Sequence, residues 1–181
     1  MRTAGVSMAG GSALLLAACG GSSSTPRKLI AGNQTIEVRA DDVDILNGVL
    51  DVEHTAIAAY TAGIPLLSGR PAAAATRFLG QELSHATALS GAIKGAGGRA
   101  NPPQARYDLG NPRDEADVLA MLSATEGALV DVYLDAIPKL TPGWLRADMA
   151  SILANEGQHI SVLRAARGLS PAPSAFLTMN E

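Results

Sequence analysis

The 181-residue chain has a single cysteine, Cys19, so no disulfide can close within it. Aromatic residues are nearly as scarce, at 3% against 47% hydrophobic residues overall. A core must therefore be filled mainly by Ala, Leu, Val and Ile. Alanine has the highest helix propensity and little bulk, so such a core favours closely packed helices. No uninterrupted apolar run reaches the roughly 18 residues of a membrane-spanning helix. Basic runs are missing beyond Arg27-Lys28, and the net charge is −3. The positive footprint that attracts nucleic acid is thus absent, which argues against a DNA-protecting role. What remains suits one domain with an ample core.

The first eighteen residues read as an export signal. Arg2 gives a basic start, Ala13 to Ala18 is short and apolar, and small residues precede the cysteine. Leu16-Ala17-Ala18-Cys19 resembles the lipobox of bacterial lipoproteins. That resemblance implies lipidation of the Cys19 thiol, anchorage to a membrane, and a place in the bacterial cell envelope. Gly20 to Ser24 then opens a flexible tether, taken to cover residues 19–40. The alternatives are an ordinary signal peptide, or a free thiol in an exported protein.

The chain does contain a doubled pattern of glutamate and histidine. Glu53 is followed by Glu82-x-x-His85, and Glu126 by Glu156-x-x-His159; the glutamates of each pair lie 29 and 30 residues apart. Aligning Glu53 with Glu126 places Tyr60 over Tyr133, Ile64 over Ile137, Pro65 over Pro138 and Leu67 over Leu140. Aligning Glu82 with Glu156 places Leu79 over Leu153, His85 over His159 and Leu89 over Leu163. Self-similarity of this kind marks a duplicated supersecondary unit. Two copies make a closed pseudo-twofold domain rather than a solenoid. With three His and seven Glu in the whole chain, chance gives far fewer than one Glu-x-x-His pair.

Apolar residues spaced by three and four predict four helices. The first starts near Asp41-Asp42 and carries Leu46, Val49, Leu50, Glu53, Ile57, Tyr60 and Ile64 on one stripe, ending at Pro65 and Ser68-Gly69. The second enters at Pro71, buries Phe78, Glu82, His85 and Leu89, and stops at Gly95. Asn111-Pro112 opens the third through Leu119, Leu122, Glu126, Val130, Tyr133 and Ile137. Thr141-Pro142 opens the fourth through Leu145, Met149, Ile152, Glu156, His159 and Leu163, closed by Gly168. Every Glu and His of the doubled pattern falls on a core-facing stripe. Each glutamate lies 11 to 14 residues from the proline at its hairpin turn, roughly 16–21 Å along a helix. The four carboxylates then meet in one layer, provided the hairpins stack in matching orientation. The Pro/Gly-rich segment from Gly95 to Asn111 is long enough to run the length of the bundle. The expectation is an all-α four-helix bundle over residues 41–168, built from two hairpins joined by a long crossover, with a C-terminal tail over 169–181.

Glutamates on apolar stripes are costly unless something neutralises them. No Lys or Arg lies on these stripes near the layer. Two divalent cations would balance four carboxylates, and a His three residues after its Glu shares its helix face, so each pair can clasp one ion. Glu53 and Glu126 would chelate or bridge. Carboxylates and imidazoles without thiolates suit Fe or Mn rather than structural Zn.

Through these six residues the chain resembles the ferritin-like superfamily, in particular exported bacterial ferritin-like domain proteins. The resemblance implies a di-iron or di-manganese carboxylate site with metal ligands Glu53, Glu82, His85, Glu126, Glu156 and His159. The four glutamates are then the catalytic residues, in oxidation of Fe(II) by O2 or peroxide or in protection against oxidative stress. The alternative is a non-enzymatic, metal-stabilised stress or interaction protein without turnover. A lipid-tethered chain fits poorly in a closed shell, so a monomer or dimer is expected. His54 lies about 100° round the helix from Glu53 and is read as outside the site. Tyr60 and Tyr133 are read as core packing, with hydrogen bonding near the metals or electron transfer as the alternatives. Asp51 and Asp131 are read either as partners of the histidines or as solvated surface.

Overall fold

The computed structural model describes residues 38–175. The expected export signal, the expected lipidation site Cys19, nearly all of the expected tether and residues 176–181 lie outside the described residues. Four helices make up the fold: α1 (Ala40–Gly63), α2 (Gly69–Gly95), α3 (Glu115–Ala136) and α4 (Gly143–Ala166). Short 3-10 turns follow α1 at Ile64–Leu66 and α3 at Ile137–Lys139. Both repeat the Ile-Pro dipeptide, whose proline has no N–H to continue an α-helical ladder. Among the described residues no helix is long and apolar enough to cross a membrane.

Helix ends follow local chemistry, with one departure from expectation. α3 begins at Glu115, four residues beyond Asn111, because Asp114 is the better cap: its carboxylate accepts from the Asp117 N–H at 2.9 Å. Asn111 instead takes a left-handed conformation, φ 53°, within the crossover, where an N-cap would be extended. α2 and α4 both close at a left-handed glycine. Gly97 (φ 77°) and Gly168 (φ 73°) let Gly98 N–H reach Ile93 O and Leu169 N–H reach Arg164 O, each at 2.9 Å.

The hairpin turns lie at opposite ends of the bundle, so α1 and α3 run antiparallel. At one end Ser68, in the α1–α2 turn, donates from both N–H and Oγ to Glu115 at the start of α3, each at 3.0 Å. At the other end the buried Asp42 carboxylate accepts from Arg39 N–H and from Thr141 N–H, both 2.8 Å, joining the start of α1 to the α3–α4 turn. The glutamates still share one layer because each sits near its helix midpoint, where reversing the helix hardly changes its height. The crossover of residues 96–114 spans the bundle end to end, held against α1 by Asn47 and Asp51. Asn47 donates to Arg99 O (3.1 Å) and accepts from Asn101 N–H (2.8 Å), and Asp51 accepts from the Asn101 side chain (3.0 Å).

Two apolar half-cores flank the glutamate layer. One gathers Leu46, Leu50, Leu89, Ile93, Leu129 and Tyr133; the other gathers Tyr60, Phe78, Val118, Leu122 and Leu163. α1 packs along α2 and α3, and α3 along α4, whereas α2 and α4 meet over a shorter stretch.

Two variants test this packing. A Cβ at Gly63 would lie 2.7 Å from Val118 Cγ1, whereas one at exposed Gly48 meets nothing within 4 Å. Gly63→Ala forces α1 and α3 apart, an overpacking cost of about 1–3 kcal/mol that exceeds the helix-propensity gain. Gly48→Ala stabilises by about 1 kcal/mol. Urea titration of the pair checks the opposite signs. Asp42→Ala strands two N–H groups at the bundle's end and should cost about 3 kcal/mol, since each hydrogen bond to a charged acceptor contributes about 1.5–3 kcal/mol. A midpoint unchanged from wild type would show that this clasp does not hold the hairpins together.

Candidate metal centre

The repeat places one polar residue of each helix at the same height, and the core packing turns all of them inward. Glu53, Glu82, Glu126, Glu156 and His159 are completely buried, and His85 retains 12% side-chain exposure. The structure thus brings all six residues of the doubled pattern into one cluster. They form two overlapping groups, Glu53/Glu82/His85/Glu156 and Glu82/Glu126/Glu156/His159, and within each the ligand atoms lie within 4.8 Å of one another. Glu82 and Glu156 belong to both groups, while Glu53 and Glu126 belong to one each. The positions common to both groups are therefore the glutamates of the Glu-x-x-His pairs.

Contacts across the layer are short. His85 Nδ1 lies 2.9 Å from Glu156 Oε1 and 3.3 Å from Glu82 Oε2. His159 Nδ1 lies 3.0 Å from both Glu82 Oε1 and Glu156 Oε2, and 3.3 Å from Glu126 Oε1. His159 Nδ1 nevertheless makes no hydrogen bond, and neither do Glu53 Oε2, Glu82 Oε1, Glu126 Oε2 or either oxygen of Glu156. Buried polar atoms are normally paired. Here they crowd together without the angles of hydrogen bonds, imidazole nitrogens and carboxylate oxygens lying 2.9–3.3 Å apart. Each of the two groups could hold a metal ion, and carboxylates with imidazoles suit divalent ions of the Fe or Mn kind.

The same crowding distorts the acid–base behaviour. Burial, reinforced by the nearby Glu82 charge, raises Glu53 well above the usual carboxylate range. Burial likewise pushes Glu126 up to about 8. Burial would also raise Glu82 and Glu156, but the two histidines facing each of them outweigh it and hold both low. For the imidazoles burial acts downward, and the facing carboxylates overcome it, pushing His85 up to about 10 and His159 to about 11. Without metal at neutral pH both imidazoles and Glu126 therefore hold protons, Glu82 and Glu156 are ionised, and Glu53 is shifted in the same direction as Glu126.

The tyrosines pack in the two half-cores and also reach the site. Tyr60 OH on α1 donates to Glu126 on α3, and Tyr133 OH on α3 donates to Glu53 on α1. The crossing follows from geometry. Helical side chains lean toward their own N-terminus, so in an antiparallel pair each Tyr leans toward the layer while the opposite Glu leans toward it. A Tyr and the Glu seven residues before it on the same helix lean the same way and cannot meet. Burial, then the Glu126 and Glu53 charges, hold both phenols far above their usual range, so they remain hydrogen-bond donors.

Other residues stand apart. His54 lines a groove of about 810 Å³ between α1 and α2, together with Ile57, Leu83 and Tyr107. Asp51 holds the crossover, not a histidine, and Asp131 is exposed. The partner that pattern reading misses is Gln81, whose Oε1 accepts from His159 Nε2 at 2.9 Å. Its only sequence signal is its place immediately before Glu82.

Residues 41–169 match the family model of the ferritin-like domain. No curated protein matches the chain. Among solved structures, a conserved hypothetical protein of Mycobacterium tuberculosis superposes with a TM-score of 0.67 at 15% identity, covering 71% of this chain and 98% of that one. A ferritin-like, diiron-carboxylate protein from Bacillus anthracis str. Ames superposes with a TM-score of 0.61 at 21% identity, covering 70% of this chain and 94% of that one. At such identities the likeness is one of fold.

Proposed function

The chain belongs to the ferritin-like domain family, and on that premise we propose that it binds two Fe ions, or two Mn ions, and oxidises Fe(II) with O2 or peroxide. The observation that carries this reading is the set of unpaired, buried oxygens and one ring nitrogen converging between the four helices. Glu82 and Glu156 would bridge the two ions, with Glu53 and His85 completing one half-site and Glu126 and His159 the other. Bound iron of this kind supplies electrons to O2 or peroxide. The protein supplies what surrounds that chemistry. Tyr60 and Tyr133 each hold one oxygen of a terminal glutamate, leaving Oε2 of Glu126 and of Glu53 free to ligate. The flanking half-cores keep water out on both sides. His85, with its partial exposure, lies on the side where α2 and α4 pack least closely, the natural way in for ions and oxidant.

Stopped-flow or electrode assays of Fe(II) loss after O2 or peroxide is added test the reading. Wild type should turn over, and Glu82→Ala should slow at least about a hundredfold, beyond the loss typical of residues outside a ligand set. Equal rates in the two proteins would sink it. The enclosure of the site favours a second reading, in which the ions hold the bundle together without turnover as a stress-protective or interaction protein. That reading predicts the same metal-dependent rise in melting temperature with no oxidation.

The sequence before residue 38 supports envelope attachment through a lipidated Cys19, with the chain acting as a monomer or dimer beside the membrane. Cys19→Ala expressed from the full chain should move from the membrane fraction to the soluble one. Persistence in the membrane would rule out the lipid anchor.

A further inference from the structure

The two half-sites are related by the internal repeat, yet their surroundings differ at corresponding positions. Glu82 aligns with Glu156, so Gln81 corresponds to Asn155 and Phe78 to Ile152. Gln81 and Phe78, both on α2, act on His159 of α4. The amide oxygen of Gln81 takes the Nε2 proton at 2.9 Å, and the Phe78 ring stacks on the imidazole, centroids 4.0 Å apart at 27°. The ring is gripped at its edge and on its face. Its Nε2 is committed to carrying a proton, so Nδ1 is the nitrogen presented to the carboxylates. His85 has neither aid. Asn155 is one methylene shorter than Gln81, Ile152 offers no flat ring, and among the described residues no hydrogen bond to His85 Nε2 is found. His85 keeps 12% exposure, where His159 has none.

We propose that the half-sites are unequal by construction: the His159 half-site binds a divalent cation first and tightly, the His85 half-site second and exchangeably, with Gln81 the positioning residue that sets the difference. This rests on the di-metal reading of the cluster. Preorganisation is the cause, since a ligand already fixed in tautomer and orientation loses less freedom on binding. The second ion enters a half-site whose imidazole must still be ordered and whose outer edge faces water.

Anaerobic titration of the full chain with Co(II), followed by calorimetry and by the visible spectrum, tests this without relying on activity. Wild type should bind in two resolved steps. Gln81→Leu should weaken the tight step by about 10- to 100-fold, the usual effect of removing such a partner, and leave the weaker step nearly unchanged. Gln81→Glu, which keeps an acceptor oxygen at the same reach, should restore the separation. Far-ultraviolet circular dichroism and melting checks that each variant is folded. Two equal steps in wild type, a Gln81→Leu variant that weakens both equally, or a Gln81→Glu variant no better than Leu would overturn the inference while leaving the di-metal reading intact. Failure of wild type to bind Co(II) at all would remove that reading, and the inference with it.

Discussion

Glu82→Ala and Glu156→Ala should each eliminate binding of both of the proposed metal ions, whereas Glu53→Ala and Glu126→Ala should each eliminate one. The asymmetry comes from membership: Glu82 and Glu156 serve both ligand groups, and the other two glutamates serve one each. An ion that binds only the folded chain stabilises it by about 2.7 kcal/mol at a hundredfold excess over its dissociation constant. Two ions therefore contribute about 5 kcal/mol, a rise in melting temperature of roughly 15 °C for a domain of this size. Calorimetric scans with and without Mn(II) should show the full rise in wild type, a smaller rise in Glu53→Ala, a smaller one still in Glu126→Ala, which loses the tighter ion, and almost none in Glu82→Ala and Glu156→Ala. A Glu82→Ala protein that keeps half the rise would show that Glu82 does not serve both half-sites.

The second large effect is an opposite pH dependence of the metal-free and metal-bound states. Glu126 and Glu53 have raised folded pKa values, so without metal their protonated forms favour the fold. That contribution is complete below the ordinary carboxylate range and is lost as pH rises, through about 8 for Glu126. His85 and His159 are raised to about 10 and about 11, so their contribution is complete below the ordinary imidazole value and fades above it. Glu82 and Glu156 are lowered, and their contribution disappears only in strong acid. Between pH 5 and 8 the folded metal-free chain thus holds more protons than the unfolded one, and its stability falls as pH rises. Each extra proton held contributes a slope of about 1.4 kcal/mol per pH unit. Metal binding reverses the trend, because ions must displace protons from both imidazoles and from Glu126, about three at neutral pH. Calorimetry in buffers of differing ionisation enthalpy counts those protons, and melting curves from pH 5 to 8 should show the metal-dependent rise growing with pH. Release of fewer than about two protons would be incompatible with the protonation pattern of the empty cluster.

Local interactions are legible in the amino-acid sequence, and those that span elements are not. The helices, their Ile-Pro stops and the inward stripe bearing the six Glu and His residues are set by spacing along one helix, so the pattern exposes them. The long crossover is legible because Gly and Pro cannot sustain a helix. The start of α3 is not, because Asn111-Pro112 and Asp114 compete as caps and only the backbone at Asn111, left-handed at φ 53°, decides between them. The membership of Glu82 and Glu156 in both groups also escapes pattern reading, since it depends on how two hairpins meet. The crossed tyrosine contacts and the grip of Gln81 on His159 span elements in the same way. They need the antiparallel setting of α1 and α3, or the facing of α2 and α4, before they exist. Asp51 reads equally as a partner of histidine or as surface until the crossover lies down and Asn101 takes it.

Four buried carboxylates and two histidines at one height are, on the proposed reading, the holders of a pair of metal ions. Elemental analysis of the purified chain, expressed with iron and manganese both supplied, decides whether they are. About two ions of iron or manganese per wild-type chain are expected, as the four-glutamate, two-histidine set requires, and almost none in Glu82→Ala purified alongside. A folded wild-type protein that retains no more metal than Glu82→Ala would refute the metal-holding role.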